Sequence, residues 1–379
     1  MSPRRVAVFI WSLERAGAER QVVELLRGMD RARFAPTLIT AIDRDDYGLD
    51  AAIPRVTLGA EGGFDAGCFL RLVRALRACR AELVHSWMGS MNWYARLAAR
   101  LAGVPAVVGS VRARLLEDED MLRERVSRAL VTRVIVNSAG IRDELITRAR
   151  LSPARIDLVE NGIDLERFAP LAPEARASRR RGLGWEGRTV LVSMGRIGPF
   201  KNQRALVDAL RVMHARGTLP ADLRVELVGR VEVADYDRAL REAAASLPEG
   251  IVRWRGTSDA PEELLACADA TVLTSPPPSE GLPNVVIESL ACGTPALVSP
   301  AGNYDALVTD GVEGVALRSH APEDVAAGVE SFLRLGTEAR AEMGRRARAH
   351  AARRFDRARM VRDTMAVYDR ALAEAGAPR

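Results

Sequence analysis

The sequence predicts an α/β protein built from two doubly wound parallel-sheet domains, on three observations. Short apolar runs alternate with segments of helical apolar period along nearly the whole chain. The alternation breaks once, between Phe168 and Arg181, and then restarts. The length, 379 residues, is enough for two separate cores.

Bulk composition narrows the class. Hydrophobic residues make up 48% and charged residues 28%, the balance of a soluble globular chain. No apolar run approaches the roughly 18 residues of a membrane span. Met1 to Ile10 is too short and strand-like to read as a signal peptide, so a cytoplasmic location is expected. Cys68, Cys79, Cys267 and Cys292 lack CxxC spacing and read as small buried residues in a reducing compartment. Of 55 basic residues only Lys201 is a lysine. The arginines interleave with Asp and Glu, which argues against a nucleic-acid footprint. The net charge of +5 is compatible with peripheral contact with an anionic membrane, at the inner face of the cell membrane.

Taken in order, Arg5 to Ile10 is a buried-strand run. It leads through Ala16-Gly17-Ala18-Glu19-Arg20 into a helix carrying Val22, Val23, Leu25 and Leu26. That turn is not GxGxxG, and on its own it is more often structural than functional. Strands follow at Ala35 to Thr40, Arg55 to Leu58, Glu82 to His85, Ala106 to Gly109 and Arg133 to Val136. Helices are expected near Phe69 to Cys79, Met91 to Leu101 and Glu119 to Leu130. Loops at the carboxyl ends of such strands line ligand sites, which singles out His85-Ser86-Trp87-Met88 and Ser110-Val111-Arg112. For His85 two readings stand open: a polar contact to an acceptor, or a hydrogen-bonded histidine at a strand end. Asn92 and the aromatic Trp87 and Trp93 nearby favour the contact, because sugars stack on aromatic rings. After Asn161-Gly162, a tight-turn dipeptide, Phe168 to Pro173 and Arg179-Arg180-Arg181 read as a linker.

In the second half, the strand Thr189 to Met194 is followed by Gly195-Arg196-Ile197-Gly198-Pro199-Phe200-Lys201-Asn202 and a helix from Gln203 to Met213. Two cations in one strand-to-helix loop suit a diphosphate, and the lone lysine of the chain is one of them. Turns after Arg224 to Gly229 and Ile251 to Trp254, with Arg230 in the first, are candidate walls of a base pocket. Ser275 to Pro295 holds the densest signal. Pro276-Pro277-Pro278 forbids helix or central strand. Glu280 and Glu288 then flank a helix start at Pro283, and Gly293 with Pro295 closes the helix. A helix start offers unpaired N–H groups to an anion, while carboxylates on either side can accept from hydroxyls; the arrangement fits a sugar nucleotide. The plain alternative is an acidic helix start that complements the dipole. After Ser299 to Tyr304 come a weak strand at Gly314 to Leu317 and two helices. The last helix, about Asp356 to Glu374, has Met360, Thr364, Val367 and Leu372 on one face.

Asp43-Arg-Asp45, Asp118-Glu-Asp120 and Asp235-Tyr-Asp237 mimic a metal-clamping Asp-x-Asp, but three copies in a chain with 50 Asp and Glu residues are close to chance. His214, His320 and His350 are isolated and read as surface residues.

The order Ala16-Gly17-Ala18-Glu19, Asn161-Gly162-Ile163-Asp164, Gly195-Arg196 with Lys201-Asn202, and Glu280-Gly281-Leu282-Pro283-Asn284 with Glu288 resembles the GT4 family of retaining glycosyltransferases. The resemblance covers almost the whole chain. It implies a GT-B fold, two Rossmann-like doubly wound domains facing across a cleft. Residues 1–170 would be the acceptor domain, 171–354 the nucleotide-sugar donor domain and 355–379 a helix packing back on the first. It implies a nucleotide-sugar donor, UDP-linked, a saccharide or lipid-linked acceptor, and no metal or other cofactor. By the same resemblance Arg196 and Lys201 would bind the leaving diphosphate. Glu280 would hold sugar hydroxyls and Glu288 the ribose. Gly195, Arg230, Gly281 and the N–H groups of Leu282, Asn284 and Val285 would line the donor, and Gly17 would approach it from the other domain. Many members carry a histidine where Trp87 stands, and His85 is then the candidate acceptor contact. The expected setting is cell-envelope or exopolysaccharide assembly. An epimerase or hydrolase of the same shape, and a catalytically silent binding subunit, are the alternatives.

Overall fold

The computed structural model describes residues 2–61, 66–87, 89–113, 118–277, 280–301 and 306–376. By internal contacts it divides into two units, Met1–Gly162 with Arg357–Arg379, and Ile163–Asp356.

In the first unit the elements run β1 (Arg4–Ile10), α1 (Gly17–Gly28), β2 (Phe34–Thr40), β3 (Arg55–Thr57), α2 (Ala66–Ala78), β4 (Leu83–Trp87), α3 (Gly89–Ala102), β5 (Ala106–Val111), α4 (Asp118–Ser127), β6 (Arg133–Val136), α5 (Ala139–Thr147) and β7 (Ile156–Leu158). Among the described residues the strands form one parallel sheet, in the order β3-β2-β1-β4-β5-β6-β7. The run of β1 is apolar on both faces, as a strand covered on both sides must be. Val6, Val8 and Ile10 enter one core and Ala7 and Phe9 the other, the two-residue period made visible. Ser138 caps α5 by accepting from the Ile141 N–H at 3.3 Å. The helix expected to run to Leu130 ends at Ser127, and its last three residues form a 3₁₀ turn.

The second unit contains α6 (Pro173–Gly182), β8 (Thr189–Met194), α7 (Gln203–Ala215), β9 (Leu223–Val228), α8 (Ala234–Ala244), β10 (Val252–Gly256), α9 (Pro261–Cys267), β11 (Ala270–Leu273), α10 (Asn284–Ala291), β12 (Ala296–Val298), β13 (Gly314–Ala316), α11 (Pro322–Arg334) and α12 (Thr337–Arg354). Its parallel sheet has the order β10-β9-β8-β11-β12-β13. Val190 and Val192 of β8 face one core and Leu191 the other. The stretch expected as a linker belongs to this unit. Ile163 and Phe168 are buried in its core, and Pro173 opens a regular helix. Arg176 and Arg180 bind the carbonyls ending α9 and the carboxylate of Asp269, so what reads locally as a loose basic run is tied down.

The final helix, α13 (Arg357–Gly376), belongs to the first unit. Met360, Val361, Met365, Val367, Tyr368 and Ala371 join the core on the α1 side of the sheet.

Candidate active site

A parallel sheet presents its ligand-facing loops at the carboxyl ends of its strands, most often near the central ones. Polar side chains gather at that position in both units.

In the second unit the gathering starts at the end of β8. Gly195 has φ +148°, a conformation that L side chains rarely adopt, and a Cβ there would lie 3.2 Å from Cε of Lys201. The missing side chain is the bed on which the lysine stem lies. Gly229, at the end of β9, has φ +149°, and a Cβ on it would meet the Gly195 carbonyl at 1.9 Å. Glycine at both places lets the two strand-end loops touch. The Ile197 N–H donates to the Arg230 carbonyl at 2.8 Å, and the Glu232 N–H donates to the Ile197 carbonyl at 2.9 Å.

Asn202, left-handed at φ +50°, anchors the far end of the loop. The Thr274 hydroxyl donates to its carbonyl at 2.8 Å, and its own amide donates to the Thr274 carbonyl at 3.3 Å. The loop is thereby fixed against the exit of β11, and Lys201 Nζ reaches Glu280 Oε1 at 2.6 Å. Ser275 donates to the same oxygen at 2.9 Å. The pair is only 17% and 10% exposed. Arg196, on the same loop, is 47% exposed and forms an ion pair with Glu232.

Beyond Glu280 and Gly281 the chain passes through Leu282, buried in the core, to Pro283, which supplies no side-chain cap for α10. Asn284 and Val285 begin that helix, and Glu288 lies a turn further along, buried. Arg230 is exposed beside the Arg196 loop. Pro278, Met88 and residues 302–305 of the loop after β12, all named from sequence, lie outside the described residues. Sequence reasoning assigned no role to Ser275 or Glu232. Ser275 stands five residues before Glu280, near enough to have been found, whereas nothing local marks Glu232.

The first unit's gathering is of another kind. His85 is fully buried in β4. Its Nδ1 is 2.7 Å from the Tyr368 hydroxyl of α13, and its Nε2 is 2.8 Å from the Ser110 hydroxyl. Both ring nitrogens are engaged within the first unit, so His85 ties the last helix to the sheet, the second of the two readings its sequence position left open. Burial, with the Arg112 charge second, holds its pKa well below the usual imidazole value of 6.5. Trp87 is also fully buried and carries the Arg112 guanidinium 4.5 Å over its ring, so it offers no face to a sugar. Burial pushes the pKa of Arg112 down to about 9. Asn92 is likewise internal, donating to Glu124 and to the Ser110 carbonyl. Gly17 opens α1, after β1 in the same unit.

The acidic decoys resolve into ion pairs: Asp45 with Arg55, Asp118 with Arg148, Asp120 with Arg123, Asp235 with Arg238 and Asp237 with Arg241.

The family model described as Glycosyl transferases group 1 matches residues 175–350. The model described as Glycosyltransferase Family 4 matches residues 15–167. A D-inositol 3-phosphate glycosyltransferase from Salinispora tropica is 32% identical over 346 residues, spanning 82% of this chain and 68% of the relative. The chain belongs to the family 4 glycosyltransferases. The enzyme of the same description from Salinispora arenicola is also 32% identical, over 83% of this glycosyltransferase and 74% of its own length. Among solved structures, Anabaena HepE in complex with UDP and glucose superposes with a TM-score of 0.83 at 21% identity, covering 97% of this chain and all of that one. Sucrose-phosphate synthase from Thermosynechococcus elongatus gives 0.78 at 17% identity, over 98% and 100% of the two chains. Those two likenesses concern the fold, which is GT-B.

Proposed function

We propose that this glycosyltransferase moves a sugar from a UDP-linked donor to a saccharide or lipid-linked acceptor, with retention and without a metal, in cell-envelope or exopolysaccharide assembly. The observation that carries the reading is the Lys201–Glu280 contact of 2.6 Å at the end of the second sheet, with Arg196 on the same loop. The Anabaena enzyme is solved in complex with UDP and with UDP-glucose, which supports a uridine donor here.

The chemistry follows from charge. When the sugar leaves, negative charge grows on the departing diphosphate, and fixed cations aimed at it stabilise the transition state without reorganisation. Lys201 and Arg196 serve that purpose. Glu280 accepts hydrogen bonds from donor-sugar hydroxyls, held for the task by Ser275. Glu288 takes the ribose hydroxyls, and Gly195, Arg230, Gly281 and the N–H groups of Leu282, Asn284 and Val285 line the donor. Between them the cations do the work that a divalent metal does elsewhere.

The enzyme works in the cytoplasm and touches the inner face of an anionic membrane. No helix among the described residues is long and apolar enough to cross one. Helices α3 and α4 pack together and leave Leu97, Leu101, Leu122 and Val126 exposed, with Arg100, Arg125 and Arg128 also at the surface. Apolar and basic side chains in that mixture suit an anionic interface. Sedimentation with anionic but not neutral vesicles is expected, and equal recovery with both removes the membrane from the account.

A thermal-shift screen of nucleotide sugars, followed by mass spectrometry of products formed with cell-envelope lipid extract, tests the function. UDP release should require the acceptor. Release from donor alone at the same rate would overturn transfer.

A further inference from the structure

Both cations of the loop between β8 and α7 hold a carboxylate. Lys201 is paired with Glu280 and Arg196 with Glu232. The first pairing joins two groups that both serve the donor. The second does not, because nothing in the transfer reaction employs Glu232.

Glu232 stands four residues beyond the end of β9, and its position is set by backbone. Its N–H donates to the Ile197 carbonyl at 2.9 Å, while the Ile197 N–H donates to the Arg230 carbonyl at 2.8 Å. These bonds zip the loop after β9 to the loop after β8. They place the Glu232 carboxylate over the glycine turn, where a Cβ on Gly198 would lie 3.1 Å from its Oε2. The guanidinium of Arg196 is on the same turn and closes the ion pair.

We propose that Glu232 is an internal stand-in for the donor diphosphate, occupying Arg196 when the site is empty and yielding it when a nucleoside diphosphate binds. It is a positioning residue for Arg196, and the proposal rests on the reading that Arg196 binds the diphosphate. A carboxylate and a phosphate compete for the same planar fork of N–H donors. Holding Arg196 in the empty state keeps it ordered, and retaking it when the product leaves favours release. With 47% and 31% of the two side chains exposed, the pair is screened by water, so its effect on affinity is modest.

Calorimetric titration of UDP into wild type, Glu232→Gln, Arg196→Gln and the double variant tests this, with circular dichroism confirming that each is folded. Glu232→Gln should bind UDP about two- to fivefold more tightly than wild type, the range of one exposed ion pair. In the Arg196→Gln background the same substitution should change nothing. A second replacement, Glu232→Ala, should tighten binding as Gln does. If Arg196→Gln weakens UDP binding but neither Glu232 variant tightens it, the stand-in is wrong and the diphosphate role of Arg196 survives. If Arg196→Gln leaves UDP affinity at the wild-type value, both fall together. Tightening that persists in the double variant would also overturn the stand-in, since it would not act through Arg196.

Discussion

The two units put polar side chains at the same place, the carboxyl end of the central strands, and use them differently. In the first, His85 is fully buried, and both its nitrogens are taken by Tyr368 and Ser110. In the second, Arg196 stays 47% exposed, and the Lys201–Glu280 pair retains contact with solvent. A buried histidine with both ring nitrogens engaged inside the protein, and no surface left, holds a fold together. A cluster of charges that keeps an open side and exchangeable partners can receive a ligand. Position in the fold is therefore not enough to assign function; the partners must be counted.

Lys201→Ala probes the open cluster most severely. Turnover per folded molecule should fall about 10²- to 10³-fold, the scale of losing one charge-stabilising donor, and the melting temperature should also drop, because Glu280 is left as a mostly buried carboxylate without its cation. Wild-type turnover would erase the functional half of the comparison.

Tyr368→Phe is the matching change in the buried cluster. It leaves a buried His85 nitrogen without its partner, and should cost about 1–3 kcal/mol of stability, read by denaturant titration, while turnover per folded molecule stays at wild type. A loss of turnover with full stability would move His85 back into the active site.

Glu288→Ala should weaken UDP binding about tenfold, the loss of a carboxylate contact to hydroxyls, and calorimetry reads it directly. Unchanged affinity would remove the ribose contact.

The pH response is the finest test. The unfolded chain protonates His85 below about 6.5, while the folded chain keeps it neutral to a lower pH. The group's contribution is thus fully present above 6.5 and declines as the pH falls below it, by at most about 1.4 kcal/mol per pH unit. Melting curves between pH 7.5 and 5 should show this decline in wild type and less of it in His85→Gln. Equal slopes would mean that His85 is not held neutral by burial.

What could be read from the sequence depended on distance along the chain. Gly195, Arg196, Lys201 and Asn202 belong to one strand–loop–helix unit, so their spacing alone puts them together. Glu280 and Glu288 bracket a helix start whose proline and glycine signals are local. The tie between His85 and Tyr368 was not legible because the two lie 283 residues apart, and a strand end looks the same with or without it. Arg179-Arg180-Arg181 read as a linker because prolines precede it; Asp269, which binds Arg180, lies 89 residues further on. Glu232 escaped notice for a related reason: its pairing with Arg196 spans 36 residues and follows no motif.

The central claim is that the open cluster of the second unit, centred on Lys201, holds the donor's diphosphate. Titration of UDP into wild type and Lys201→Ala, side by side in the same buffer, tests it most directly. About a tenfold or greater loss of affinity in the variant, with circular dichroism confirming that it is folded, is the predicted result. Equal affinity in the two proteins would contradict it.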